Sequence, residues 1–239
     1  MRINKNMIII ILCLLIIFLT IIIITTKIQN EKKLKQSKDK EIVECDSLDD
    51  EKFNLEKNEN IVLFGDSITQ FYPVDDIYDN YQIIGSGVSG YTTVDLLDRM
   101  VEMLYQYNPT KVFLLIGTND IMLDTSEEKL EDTVDNIKKI SEDIKKYRPN
   151  AKLYIESIYP VNKSLNKEMV NQRTNEAIKS MNKKIEEYCK KEKISYINIY
   201  DELTDKDGNF DKKYTNDGLH PNDLGYAKIT KLLLPYIYE

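Results

Sequence analysis

Short apolar runs that each end in an abrupt polar or glycine-containing turn, and alternate with helical patterns, set the strongest limit on how this chain can fold. The first is Ile61-Val62-Leu63-Phe64, which runs straight into Gly65-Asp66-Ser67-Ile68-Thr69. Residues 81–84 lead into Gly85-Ser86-Gly87-Val88-Ser89-Gly90, and residues 112–116 break at Gly117-Thr118-Asn119-Asp120. Further runs cover 153–158 and 194–199. Continuous apolar runs of this length, bounded by turn residues, read as strands buried on both faces. The segments between them carry helical spacing. Thr92 or Thr93 caps a helix expected through about Tyr107, with Val94, Leu97, Val101 and Leu104 on its buried face and Pro109 beyond its end. Ser126 opens a long helix with Leu130, Val134, Ile137, Ile144 and Tyr147 at helical spacing, ending before Pro149. A third helix is expected over 167–191, and a closing one holds Ile229, Leu232, Leu233 and Ile237. Five strands alternating with helices predict an α/β fold: a parallel sheet with helices on both faces.

A parallel sheet brings the carboxyl ends of its strands to one edge, where ligand sites of open α/β sheets lie. Ser67, the glycine-rich turn and Asn119 therefore share an edge, and the loop after the last strand can return to it. That loop holds Asp217-Gly218-Leu219-His220-Pro221-Asn222, with the chain's single histidine. Ser67 reads either as a helix cap or as a nucleophile. Pro221 favours an extended backbone at His220, and an aspartate three residues earlier can fold back to accept from the ring Nδ1, freeing Nε2 to take a proton. Asn119 is a neutral amide donor suited to a developing oxyanion, or a local turn residue. Asp66 and Asp120 read as structural hydrogen-bonding residues. Gly85-x-Gly87-x-x-Gly90 has dinucleotide-binding spacing, but no acid stands about 20 residues on, near Thr110-Lys111. The preferred reading is that its bare amides face an oxyanion beside Ser67; a flexible turn is the plainer one.

Assembled in this order, the blocks Gly65-Asp66-Ser67-Ile68-Thr69, Gly87 in its glycine-rich turn, Gly117-Thr118-Asn119-Asp120 and Asp217-Gly218-Leu219-His220-Pro221-Asn222 resemble the SGNH hydrolases, the esterase/lipase superfamily also called GDSL, over roughly residues 60–238. The resemblance implies a flavodoxin-like three-layer αβα sandwich around a central five-stranded parallel sheet. It also implies Ser67 as nucleophile, Asp217 and His220 as the other members of a catalytic triad, and Ser67, Gly87 and Asn119 as oxyanion-hole donors. No cofactor or metal is implied. One departure from the family pattern is Gly85-Ser86 where many relatives carry an asparagine and a basic residue. The implied reaction is hydrolysis of carboxylic esters through an acyl-enzyme, with acetyl groups on envelope carbohydrate as the expected substrate. A lysophospholipase or lipase is the alternative, and so is an O-acyltransferase on the same residues.

The rest of the chain bounds location and partners. Arg2 and Lys5 precede an apolar run at residues 8–24. With its neighbours it is about 20 residues, or ~30 Å as a helix, enough to cross a hydrocarbon core. Residues 1–27 are therefore expected as an N-terminal transmembrane anchor, a cleaved signal peptide being the competitor; residues 28–58 as a charged linker; and 59–239 as the hydrolase domain. Six lysines after the span argue for a cytoplasmic domain by charge count, whereas the short basic start resembles an export signal. The expectation is a single-pass protein of the cell membrane with its catalytic domain outside the cytoplasm. A net charge of -7 with scattered lysines leaves no basic face for nucleic acid. Cys13, Cys45 and Cys189 are too few for a disulfide framework, although Cys45 and Cys189 could pair after export. No Cys or His cluster has metal-ligand spacing.

Overall fold

The computed structural model of the chain describes residues 59–74 and 83–239, together with 25–27, 29 and 32. The expected membrane span at 8–24, Cys13 and Cys45 lie outside the described residues. Among the described residues no helix is long and apolar enough to cross a membrane. The chain divides into a unit Met1–Cys45 and a unit Asp46–Glu239; the sheet and the helices around it belong to the second.

Five parallel strands form one sheet in the order β2-β1-β3-β4-β5: β1 (Ile61–Gly65), β2 (Ile83–Gly87), β3 (Lys111–Leu115), β4 (Lys152–Glu156) and β5 (Ser195–Ile197). Successive side chains of a strand point to opposite faces, and both faces are apolar here. Val62, Phe64, Val112, Leu114, Leu153 and Ile155 join one buried cluster. Ile61, Leu63, Phe113, Leu115 and Tyr154 join the other. This double burial is why the strands read as unbroken apolar runs. On the first face pack α2 (Thr93–Asp98), α3 (Met100–Met103), α4 (Glu127–Tyr147) and α6 (Asn175–Glu192). On the second pack α1 (Ser67–Gln70), α7 (Tyr200–Leu203) and α8 (Asp223–Ile237). A short α5 (Lys167–Val170) precedes α6.

Four local expectations are corrected. The glycine-rich segment is not a turn from Gly85 onwards: β2 continues to Gly87, paired with Gly65 of β1, and the turn falls at Ser89-Gly90. Tyr81 and Gln82 lie outside the described residues. The helix expected over 92–107 is broken at Arg99, and a 3₁₀ turn covers Tyr105–Tyr107. Leu96, Met100, Met103 and Leu104 face the sheet, while Val94 and Val101 are exposed. Both sets have helical spacing, so periodicity alone did not separate them. The helix expected over 167–191 is two helices, because Asn171 adopts a left-handed φ of 58° and Thr174 caps α6 by accepting from Ala177 N. The α4 expectation needs one change: Ser126 caps it by accepting from Lys129 N, and Leu130, Val134, Ile137 and Ile144 are buried, but Tyr147 is half exposed.

Sheet order places the site. The chain moves from β1 outward to β2 and then crosses to β3 on the other side of β1. Loops leaving β1 and β3 therefore diverge at a topological switch point, where a crevice opens. Ser67 follows β1 and Asn119 follows β3. The closing helix α8 is tied to the opposite end of the sheet by Lys111, whose buried Nζ donates to the Ile237 carbonyl (2.6 Å) and pairs with Glu59 (3.0 Å).

Candidate active site

Ser67 is the first residue of α1, which starts directly at the end of β1. So sharp a turn requires small residues around it. A Cβ on Gly65 would overlap the Leu115 carbonyl oxygen, and one on Gly87 would overlap the Asp66 carbonyl oxygen and the Gln70 amide. Asp66 caps α1, its Oδ1 accepting from Ile68 N at 2.9 Å. Its Oδ2 is buried without a hydrogen-bond partner among the described residues. Burial is the largest influence on this carboxyl and pushes it up to about 7, against the Ile68 N–H and the nearby His220 and Arg173, which favour the anion.

His220 reaches Ser67 from the loop before α8. Its Nε2 lies 3.0 Å from Ser67 Oγ, and its Nδ1 lies 2.8 Å from Asp217 Oδ2. An ionised carboxylate only accepts, so Nδ1 carries the proton and Nε2 presents a lone pair to the serine hydroxyl. Asp217 is held in turn: its Oδ1 accepts from the backbone N–H groups of Leu219 (2.9 Å) and His220 (2.8 Å). Partial burial would raise this acid most. It is outweighed by the His220 ring N–H, the two backbone donors and the attraction of the imidazole, so the carboxyl sits at about 2. Thr215 braces the loop, accepting from Gly218 N (2.9 Å) and donating to the His220 carbonyl (2.8 Å). Gly218 has φ 79°, and a Cβ there would overlap the Asn162 carbonyl oxygen. Phe71 stands edge-on to the imidazole, with ring centroids 5.5 Å apart. Ser67, His220 and Asp217 thus form one hydrogen-bonded chain along which a serine proton can move onto Nε2.

Asn119 shares the cleft with Ser67 and His220. This space of about 460 Å³ is also lined by Phe71, Ser89, Met122 and Met169, and is within the size range of small-molecule sites. The Asn119 Nδ2 donates to the Tyr91 carbonyl (3.0 Å), and its Oδ1 accepts from Arg173 (2.8 Å). Gly87 is not part of the cleft lining, where Ser89 and Gly90 represent the glycine segment. Gly87 packs closely against α1. Ser89 is fixed by Gln70, whose Oε1 accepts from both its N–H and its hydroxyl. Asp120 turns away from the cleft and holds the start of α2, accepting from Thr93 N (3.0 Å) and Thr93 Oγ1 (2.5 Å). Cys189 is a buried free thiol within α6. Among the described residues no three His, Cys, Asp or Glu side chains gather in a way that could hold a metal ion.

Sequence reasoning missed Arg173, Thr215 and the Gln70–Ser89 contact. Arg173 had one available signal: it is one of four arginines in a chain that otherwise uses lysine, and arginine is the residue suited to buried, multiply bonded positions.

The chain belongs to the GDSL-like lipase/acylhydrolase family, whose model matches residues 63–228. This is a family of hydrolases that act on ester bonds. A solved protein from Streptococcus pneumonia, described as a candidate platelet activating factor, is 31% identical with a TM-score of 0.70; the match covers 87% of this chain and 96% of that one. A GDSL-like lipase from Bacteroides thetaiotaomicron is 26% identical with a TM-score of 0.68, over 84% of this chain and 96% of its own. A curated relative, the N-acylneuraminate cytidylyltransferase of Escherichia coli O18:K1:H7, is 29% identical over 200 residues. That match covers 81% of this chain, which spans 45% of the relative's length.

Proposed function

We propose that this chain is a serine esterase that cleaves carboxylic esters through an acyl-enzyme, with Ser67 as nucleophile, His220 as general base and then acid, and Asp217 as the group that orients the imidazole. The observation that carries this reading is the hydrogen-bonded run Ser67 Oγ–His220 Nε2–His220 Nδ1–Asp217 Oδ2, at 3.0 and 2.8 Å, opening on a cleft. As Oγ attacks the ester carbonyl, Nε2 takes its proton. The tetrahedral oxyanion is met by the Ser67 backbone amide and the Asn119 Nδ2, and the third donor is proposed from Gly90, which lines the cleft where Gly87 does not. His220 then protonates the departing alcohol, and water releases the acid by the reverse sequence. Transfer to a sugar hydroxyl in place of water would use the same residues.

For the substrate we favour short acyl groups, acetyl above all, on a carbohydrate of the cell envelope. Phe71, Met122 and Met169 offer apolar surface for a small acyl group, while Ser89, Asn166 and Glu168 offer hydrogen-bonding partners for a hydroxylated alcohol. The curated relative is named for N-acylneuraminate, a sugar acid, and this agrees with a carbohydrate alcohol. A longer acyl chain is the second reading, favoured by the exposed Phe71, Met122, Leu123 and Met169. The apolar run at residues 8–24 is proposed as a membrane anchor holding residues 59–239 outside the cytoplasm; the sequence alone supports it. The test is a series of 4-nitrophenyl esters of increasing acyl length beside acetylated glycans, with and without an acceptor alcohol. Preference for acetyl is expected, and a rise in kcat/KM towards long chains would overturn the acetyl assignment.

A further inference from the structure

Arg173 is 2% exposed, yet no carboxylate pairs with it among the described residues. Its Nε donates to the Thr118 carbonyl (2.8 Å), one terminal nitrogen to the carbonyls of Met169 (3.1 Å) and Val170 (3.2 Å), and the other to Asn119 Oδ1 (2.8 Å). Four of its five N–H groups are therefore committed to neutral oxygens. A guanidinium so occupied is a poor clamp for a substrate carboxylate, although it borders the cleft. Asp66 acts on it only through space, so a buried positive charge is left largely uncompensated beside Asn119.

The contact to Asn119 fixes the orientation of its amide. A guanidinium can only donate and a backbone carbonyl can only accept. With Arg173 on one side and the Tyr91 carbonyl on the other, the amide has one satisfied arrangement: oxygen to Arg173, nitrogen to Tyr91. One Nδ2 hydrogen is used there, and the second has no protein acceptor among the described residues. A cation on the amide oxygen also polarises the amide and makes its N–H a stronger donor.

We propose that Arg173 is a positioning residue of the esterase site: it locks and polarises the Asn119 amide, so that the free Nδ2–H is preset for the oxyanion and a fixed positive charge stands behind it. This rests on the acyl-transfer reading of Ser67 and extends it to a residue that touches neither the acyl carbon nor its oxygens. The coupling reaches across 54 residues of sequence, from the break between α5 and α6 to the loop after β3. It also gives that break a purpose, because Arg173 donates back to Met169 and Val170 and so clamps the end of α5 against the Thr118-Asn119 loop.

The experiment compares the full chain with Arg173→Met, Arg173→Lys, Asn119→Ala and the double variant Arg173→Met/Asn119→Ala. It uses 4-nitrophenyl acetate and its thiono analogue, whose C=S is a poor hydrogen-bond acceptor. Arg173→Met should lower kcat about 10²-fold, the scale of a lost or misplaced oxyanion donor, with KM changed less than about 3-fold. The oxo-to-thiono rate ratio should fall towards that of Asn119→Ala, and the double variant should be no slower than Asn119→Ala alone. Arg173→Lys, which keeps the charge but cannot span both Thr118 and Asn119, should recover part of kcat. If Arg173→Met fails to fold, the thiono ratio of Arg173→Lys decides in its place. Losses that multiply in the double variant, or an unchanged thiono ratio in a folded variant, would overturn the proposal. An active wild type beside an Arg173→Met of unchanged kcat overturns it alone. A wild type that neither turns over the ester nor reacts with a fluorophosphonate overturns the acyl-transfer reading as well.

Discussion

Replacing Asp217 by asparagine puts the charge of one carboxylate, and the tautomer of one histidine, to a direct test. In the wild type Oδ1 accepts two backbone N–H groups, from Leu219 and His220, and Oδ2 accepts the His220 Nδ1 proton. An asparagine has a single oxygen. The two backbone donors claim it, so the NH₂ group faces Nδ1 and forces that nitrogen to accept. The ring proton then moves to Nε2, and the imidazole presents a donor where the Ser67 proton must arrive. In serine proteases the same substitution lowers kcat about 10⁴-fold with the geometry intact, and a loss of that order is expected here. Stability changes too. A carboxyl held at about 2 instead of its ordinary 3.8 contributes about 2 kcal/mol, an upper bound because 29% of the side chain is exposed to solvent. Its folded pKa is depressed, so this contribution is present above about pH 4 and is lost as pH falls towards 2. Turnover of 4-nitrophenyl acetate at pH 7.5 and urea melts at pH 7 and pH 2.5 measure the two effects. An Asp217→Asn variant with kcat within tenfold of wild type would refute the tautomer argument, and equal destabilisation at both pH values would refute the electrostatic one.

Glu156 should show the opposite pH dependence. It is buried and accepts from the Tyr159 hydroxyl at 2.6 Å; burial raises it from 4.5 to about 7, with the tyrosine hydrogen bond acting against the shift. The folded state therefore holds this proton more tightly than the unfolded chain, and about 3 kcal/mol is lost as pH rises from 4.5 through 7. Glu156→Gln should flatten that fall and raise the urea midpoint at pH 8 relative to wild type, while identical slopes for the two proteins would contradict it. Gly87→Ala should cost about 3 kcal/mol, the upper end for overpacking, because backbone of α1 must move; it should also lower kcat by displacing Ser67. A variant as stable and as active as wild type would show that α1 yields freely there.

Much of the fold is legible in the sequence because the sheet is buried on both faces. Runs such as 61–64 and 112–116 leave little choice but a buried strand, and Ser126 before a long periodic segment marks a helix start. Legibility fails where two answers share one pattern. Val94 and Val101 have the same helical spacing as Leu96 and Met100, and only the sheet surface selects the second set. The segment 167–191 reads as one polar helix because Asn171, which breaks it through a left-handed backbone, is also an ordinary helix-surface residue. At the site, Ser67, Asn119, Asp217 and His220 stand out as polar breaks after apolar runs. Arg173 does not, since its meaning lies in a contact with Asn119 that no local pattern encodes.

Intact mass measurement after exposure to a fluorophosphonate tests most directly whether Ser67 is the nucleophile activated by His220. A single adduct on Ser67 is predicted for the wild type, sharply slower labelling for Asp217→Asn, and none for Ser67→Ala. An unlabelled wild type, or an adduct that persists in Ser67→Ala, would contradict the account.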